Sequence, residues 1–543
     1  MFSFATSFDK KLKLWSGRDI FPLYHPDISV AQVMLGALKN YGPKIAQISD
    51  DNGTRLSFDE IRMKTVRAAQ NLQKREYKSK QVFGLVAKNS QHLAPIIFAS
   101  MCLGCPINTL GISFKKTEII HMLKITKPVL MFCDIEMYDL LKECLLELGN
   151  KAKILTFGGS KGDSEPVENL FLKTKYENDF IPVKVDGKNE AAVIVCSSGT
   201  TGLPKCAGIS HAALLDAVNR FNIGTFSDVI LSFGLVQWIN GLRFLLRGTL
   251  CGATRIITTD IWSPELELSI IEKYQVTIAM NASYHICLLM ESEHLKTADL
   301  SSLNILMIGG SKVPTYLRNG MNNHLSNGKV HDVYGMSEIA CVAALDYPGL
   351  SGKETVGQLA NGIHIKIIDD EGNRCGIGEN GEICIKTNYK FLGYYGNEIA
   401  SNDIFDEEDF IMSGDIGHFD ENGYLYVVDR KKDIFKYCGS QVSPSEIEAF
   451  LIESKDIKLV CVVGIPDPDQ VAGDLPAAVI VRANGSNISE KEVLDMVAGH
   501  FADQCKLRGG VYFVDSLPIT QSAKVLRRIV KETTIKRFNA RKN

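Results

Sequence analysis

Tryptophan is scarce in this chain, with 3 in 543 residues, and neither sign of charge is in surplus. Its 60 lysines and arginines stand against 63 aspartates and glutamates, leaving a net charge of −3. So small an imbalance gives no global field that would draw it onto nucleic acid or an anionic membrane. The opening MFSFATSFDKKLKLW lacks the apolar core and cleavage site of a secretory signal. The closing ARKN is not the serine-lysine-leucine address of the peroxisome, so residence is expected to be cytoplasmic or peroxisomal. Cys102 and Cys105 form a C-x-x-C with no second pair and no histidine cluster, which argues against zinc. The 14 cysteines lie mostly in apolar runs, as at Cys196, Cys251 and Cys461, and read as free buried thiols of a reducing compartment. Residues 93–114 run 22 positions without charge, which raises the question of a membrane span. Two prolines, two glycines and Asn108 interrupt them, and a core helix leading into a buried strand is the expectation. No internal repeat or low-complexity segment occurs.

What is present is the composition of a soluble globular protein, 45% hydrophobic and 23% charged, too long for one ordinary domain. Short apolar runs, AAVIVC, VTIAMN and NILMIGG, alternate with stretches of helical period such as PELELSIIEKY. That alternation predicts α/β architecture, with ligands at the strand ends where small residues gather. Past about residue 360 the texture turns β-rich: HIKIIDDEGNRCGIGENGEICIK reads as strand, link, strand, and HFDENGYLYVVDR as a hairpin turning at Asn422-Gly423. A boundary is expected at Asp429-Arg430, giving a domain over 1–429 and a smaller, mobile α+β domain over 430–543. In the smaller one, SEIEAFL and EKEVLDMVAGHFADQC read as helices, and KLVCVVGI and AAVIVR as strands. The basic residues 524–543 read as a solvated terminal helix.

The segment CSSGTTGLPKCAG carries the chemistry. A Walker loop needs G-x-x-x-x-G-K-[ST], but here proline precedes the lysine and Cys206 follows it. The hydroxyls come early instead, at Ser197, Ser198, Thr200 and Thr201. Together with Gly199 and Gly202, such a loop can still wrap a polyphosphate, with Lys205 as a point charge.

SSGTTGLPK resembles the signature of the adenylate-forming acyl-CoA synthetases, the superfamily of 4-coumarate–CoA ligases and firefly luciferase. DVYGMSE at 332–338, SGDIGHFDENGYLYVVDR at 413–430, KYCGSQVSPSEIE at 436–448 and LPITQSAKVLRR at 517–528 resemble its further motifs, in family order over nearly the whole chain. The resemblance implies that a carboxylic acid, fatty or arylalkanoic, is activated by ATP to an acyl-adenylate and then passed to coenzyme A. It implies that residues 197–205 hold the β- and γ-phosphates, with Thr200 and Glu338 at Mg²⁺. Gly309, Gly310 and Ser311 would border the adenine and acyl sites, and Asp332, Tyr334 and Gly335 would frame adenine. Ser337 and Glu338 would serve the α-phosphate. Asp415, helped by Arg430, would bind the ribose hydroxyls. Lys524 would bridge ribose, α-phosphate and carboxylate. Trp238, Gly241, Gly309, Met336 and Val342 would line the acid pocket. A rotation hinged at Asp429 would exchange Lys524 for the face bearing Lys436, Gly439 and Gln441.

The chain departs from that pattern in places. Cys206 and Ala523 stand where the family usually has glycine, and Cys206 would be strained if its φ were positive. Gln237, Trp238, Ile239 and Asn240 replace the usual lining before Gly241, so the indole is expected to limit the acyl pocket. Two other outcomes stay open beside thioester formation: a luciferase-like oxidation of the adenylate, and a catalytically silent nucleotide-binding paralogue.

Overall fold

The structure is a computed structural model and describes residues 5–197, 203–220, 223–310, 315–347, 354–468, 472–520 and 524–542. The short apolar runs become the strands of two large sheets. In the first, Ala191–Ser197, Ile107–Thr109, Phe83–Val86, Leu130–Asp134 and Lys153–Phe157 run parallel, and Lys205–Ser210 closes one edge antiparallel. In the second, Ile45–Ser49, Thr254–Ile257, Val229–Ser232, Ile278–Ala282, Ile305–Gly309 and Lys329–Met336 run parallel, with Cys341–Leu345 antiparallel beside them. Helices cover both, which is why these strands are continuous in apolar residues rather than alternating. Residues 93–114 behave as expected: the helix Leu93–Cys102 is buried at every position and leads to the buried strand Ile107–Thr109.

A third, antiparallel sheet joins the N-terminal strands Ser7–Asp9 and Leu14–Ser16 to His364–Ile368, Gly381–Lys386, Ile411–Phe419 and Leu425–Arg430. Trp15 stacks between Phe8 and Phe419, at 4.1 and 4.4 Å, and seals this sheet's core. The expected hairpin is there, and Gly423 takes the φ of +75° that its turn requires. Beyond Arg430 come the hairpin Phe435–Tyr437/Ser440–Val442 and a sheet of Ile457–Pro466, Asp474–Arg482 and Val511–Phe513. The helices Pro444–Leu451, Glu490–His500 and Arg527–Lys542 accompany them. The fold is thus α/β, with a large N-terminal and a smaller C-terminal domain. The predicted run from 490 to 505 is one helix only to His500. Phe501 turns extended, φ −104° and ψ 158°, and packs edge-on against Phe450.

The thiols are as the sequence suggests. Every described cysteine is free, and all but Cys287 and Cys438 are buried. Cys206 sits in the extended strand Lys205–Ser210, 1% exposed, without positive φ, so the feared strain does not arise. Its Sγ meets Met122 Sδ at 3.5 Å.

Candidate active site

The carboxyl ends of the parallel strands open onto a cleft of about 1230 Å³ that both domains line. Strand Ile305–Gly309 delivers Gly309 and Gly310 to it, and strand Lys329–Met336 delivers Gly335 and Met336. The 3₁₀ turn Ser337–Ile339 adds Ser337 and Glu338, and Val342 follows on the next strand. Lys205 enters from the edge of the other large sheet. Asp415 and Arg430, register partners across the third sheet, complete the N-terminal side with Nε to Oδ1 at 3.4 Å. Tyr334 donates its hydroxyl to Asp415 Oδ2 at 2.8 Å. A carboxylate has about four acceptor positions, so Asp415 can take two more donors. Burial raises its pKa, against the pull of Arg430.

Lys524 comes from the C-terminal domain and lies in this cleft. Its backbone is tied to Thr520, by Thr520 N to Lys524 O at 2.7 Å and Lys524 N to Thr520 Oγ1 at 3.0 Å. Its Cε would touch a Cβ on Gly310 at 3.3 Å, and Gly310 has φ +103°, so glycine serves both the backbone and the approach of the lysine. Burial lowers the Lys524 pKa and Arg430 adds to that, while Asp415 and Glu338 oppose it. One cation thus stands among an Asp–Arg pair, a glycine-lined strand end and a carboxylate.

A family model described as AMP-binding enzyme matches residues 36–395, and one for the AMP-binding enzyme C-terminal domain matches residues 446–524. The chain belongs to the AMP-binding enzymes. A luciferin 4-monooxygenase of Luciola mingrelica is 28% identical, covering 94% of this chain and 96% of that one. A probable 4-coumarate–CoA ligase 1 of Dictyostelium discoideum is 26% identical over 93% and 95%. The anthranilate CoA ligase AuaEII, solved with anthranoyl-AMP, shares the fold with a TM-score of 0.85 at 20% identity, over 95% of this chain and 98% of that one.

In this AMP-binding enzyme, several residues expected at the site stand elsewhere. Asp332 does not line the cleft. The residue is 9% exposed, and its carboxylate takes Arg318 Nη1 at 2.9 Å, while the same guanidinium nitrogen reaches Asp346 at 3.2 Å. Gly241 is behind the wall rather than in it. A Cβ there would fall 2.3 Å from Leu235 O and 2.5 Å from Gly234 O, so its role is close packing of helix Ile239–Cys251 on that loop. Trp238, half-buried at the N-cap of this helix, and Asn240 do face the cleft, while Gln237 is buried and accepts from Ile112 N at 3.1 Å. Lys436, Gly439 and Gln441 are exposed on their hairpin, outside the cleft that holds Lys524. Ser198, Gly199, Thr200, Thr201, Gly202, Ser311 and Ala523 lie outside the described residues, and of Ser197 only the strand backbone is described.

Sequence reasoning missed Tyr394. Its hydroxyl donates to Glu338 Oε1 at 2.7 Å, and Lys205 Nζ sits 4.6 Å from its ring centre. Buried to 8% exposure, it holds the loop lysine and the turn glutamate in one unit through a cation–π contact and a charge-assisted bond. Only the tyrosine pair in FLGYYGN hinted at it. Tyr394→Phe keeps the ring and frees Glu338 to rotate. The expected result is a fall of about tenfold in kcat for adenylation, with KM for ATP nearly unchanged, read by pyrophosphate exchange. Tyr394→Leu, which also removes the seat of Lys205, should lose more.

Proposed function

We propose that this chain activates a carboxylic acid with ATP and transfers the acyl group to coenzyme A. A carboxylate oxygen attacks the α-phosphorus, the bond to pyrophosphate breaks, and an acyl-adenylate forms. The thiol then adds to the acyl carbon, AMP leaves, and the thiol proton is released. The placement of Lys524 in the cleft beside Gly310, among Arg430, Asp415 and Glu338, carries this reading. Charge gathers on the α-phosphoryl oxygens as the bond forms, and a preplaced ammonium meets it there. Asp415 receives the two vicinal ribose hydroxyls. Lys205 and the adjoining loop hold the outer phosphates. Among the described residues no three His, Cys, Asp or Glu side chains converge on one point. Magnesium held by substrate phosphates and one carboxylate would need no such cage, and Glu338, with Thr200 of the adjoining loop, would supply its protein ligands. When bound, the ion supplies charge neutralisation on the phosphates.

The units 1–429 and 430–543 would rotate about Asp429 between the two steps. Asp429 is buried, and its Oδ2 accepts from Ser443 Oγ at 2.8 Å and Ser445 N at 2.9 Å, tying the hinge to the start of helix Pro444–Leu451. The exposed Lys436 hairpin would replace Lys524 for the thiol step.

Carboxylate-dependent exchange of labelled pyrophosphate into ATP is expected, requiring Mg²⁺ and an acid but no coenzyme A. Adding coenzyme A should then release AMP and yield a thioester. Exchange with no acid of an aliphatic and aryl panel would favour the silent paralogue. Exchange followed by oxygen uptake and light, instead of thioester, would favour the chemistry named for the luciferin monooxygenase relative.

A further inference from the structure

Two polar contacts join the N-terminal domain to the C-terminal one outside the cleft, and the proposed chemistry uses neither. Glu291, at the end of helix Ser283–Glu291, holds Lys458 Nζ with Oε2 at 2.5 Å. Tyr316, in the first turn of helix Thr315–Asn322, donates its hydroxyl to the Ile452 carbonyl at 2.8 Å. These two helices lie close together, since a Cβ on Gly320 would fall 2.9 Å from Met290 Cε. The C-terminal half of each contact has a local cause. Strand Ile457–Pro466 shifts register between Ile457 and Leu459, so Lys458 is the extra residue of a bulge, a device that re-aims a side chain. Ile452 is the C-cap of helix Pro444–Leu451, where carbonyls lack intrahelical donors, and the tyrosine supplies one.

Both contacts end on elements that Arg527 ties to the segment bearing Lys524. Its guanidinium holds Glu448 of helix Pro444–Leu451 and the Val462 carbonyl of strand Ile457–Pro466. On the other side, helix Ser283–Glu291 also carries Tyr284, His285 and Leu288 to the cleft wall. The contacts thus connect the back of that wall to the body that holds Lys524. Water can take over each group when they part. The side chains of Lys458 and Glu291 are 22% and 38% exposed, and Tyr316 is 43% exposed. Contacts of this kind are weak enough to break and re-form in every turnover.

We propose that Glu291–Lys458 and Tyr316–Ile452 form a latch that seats Lys524 for adenylation and opens before the thiol step. The proposal rests on the reading of the chain as a two-step ligase whose C-terminal domain rotates. Glu291, Tyr316 and Lys458 are positioning residues, acting through Lys524. Each arrangement serves one step, so the ratio of the two rates reads the balance between them. Removing a contact made only in the latched arrangement raises that ratio by the factor the contact was worth.

The test pairs acid-dependent pyrophosphate exchange with single-turnover thioester formation from a supplied acyl-adenylate. Lys458→Met is expected to raise the ratio of thiol-step rate to exchange rate by about two- to fivefold. Tyr316→Phe should raise it by a similar factor, and the two together by about tenfold. Glu291→Lys alone sets like charges face to face and should exceed Lys458→Met, while adding Lys458→Glu to it should restore the wild-type ratio. Salt should raise the ratio more in the wild type than in Lys458→Met, because only the wild type has the pair to screen. A ratio that these variants leave unmoved, a parallel fall in both rates, or a charge exchange that restores nothing overturns the latch while both steps still run. Exchange without any thiol step in the wild type overturns the rotation together with the latch. Failure of every acid to support exchange overturns the activation reading beneath both.

Discussion

Lys524→Ala is expected to cut carboxylate-dependent pyrophosphate exchange by about 10²–10³-fold, the loss of one preorganised donor worth about 2.7–4 kcal/mol in the transition state. The ammonium lies in a cleft that already holds Arg430, and burial and Arg430 together lower its pKa. Holding a second cation there is unfavourable at rest, and in the proposed step it would serve where negative charge develops. The stability of the fold should hardly change, because Lys524 is anchored through backbone bonds to Thr520 that alanine retains. Lys436→Ala should behave oppositely. Its side chain is exposed outside the cleft, so exchange should survive while thioester formation from a supplied acyl-adenylate slows. Equal losses in both steps for both variants would refute an exchange of faces about Asp429.

The second large effect is expected away from the chemistry. Arg318→Met should destabilise the N-terminal domain by about 3–5 kcal/mol, the usual result of removing one partner from a buried ion group. Arg318, 2% exposed on helix Thr315–Asn322, compensates both Asp332 on strand Lys329–Met336 and Asp346. Burial pushes Asp332 up to about 7, with Arg318 pulling it down and Asp346 adding to the rise. Without the guanidinium, the folded state should keep a proton that the unfolded chain releases in the ordinary carboxylate range. Protons bound in the folded state alone stabilise it at low pH, so the deficit should deepen as pH rises through about 7. Calorimetric melting across pH reads this directly. Asp332→Asn separates the two roles considered for that residue. A lower melting temperature with unchanged KM for ATP marks a structural group, whereas a raised KM with intact melting would return it to the adenine site.

Asp332 also shows where the sequence ceased to be informative. DVYGMSE is a local string, and the positions of Gly335, Ser337 and Glu338 at the strand end follow from it. The partner of Asp332 does not, since Arg318 and Asp346 come from other elements and no spacing in the sequence joins them. Tyr394 was hidden for the same reason: its contacts, Lys205 and Glu338, lie far from it along the chain. Gly241 was misplaced because a glycine in a lining motif suggests room for a ligand, while the room is filled by the carbonyls of Gly234 and Leu235. The alternation of buried strands and helices, by contrast, is written in periodicity, and the α/β sheets were legible from it, as the hairpin over 418–430 was from its turn at Asn422-Gly423. The helix ending at His500 rather than Cys505 is a tertiary choice, made by Phe501 against Phe450.

Three residues beyond Lys524, Arg527 closes its guanidinium on Glu448, Nη1 to Oε1 at 2.6 Å and Nη2 to Oε2 at 3.0 Å, and Nη1 also donates to the Val462 carbonyl. Helix Arg527–Lys542, the strand Ile457–Pro466 and helix Pro444–Leu451 are thereby joined just behind the lysine. The ammonium has little freedom to search for its place by trying rotamers on a loose tail. Its position is inherited from the C-terminal domain as a whole, so if that domain rotates as proposed, the search for the reacting geometry would shrink to one rigid-body coordinate, and the disorder to be lost would be spent in docking a surface rather than in stilling a side chain.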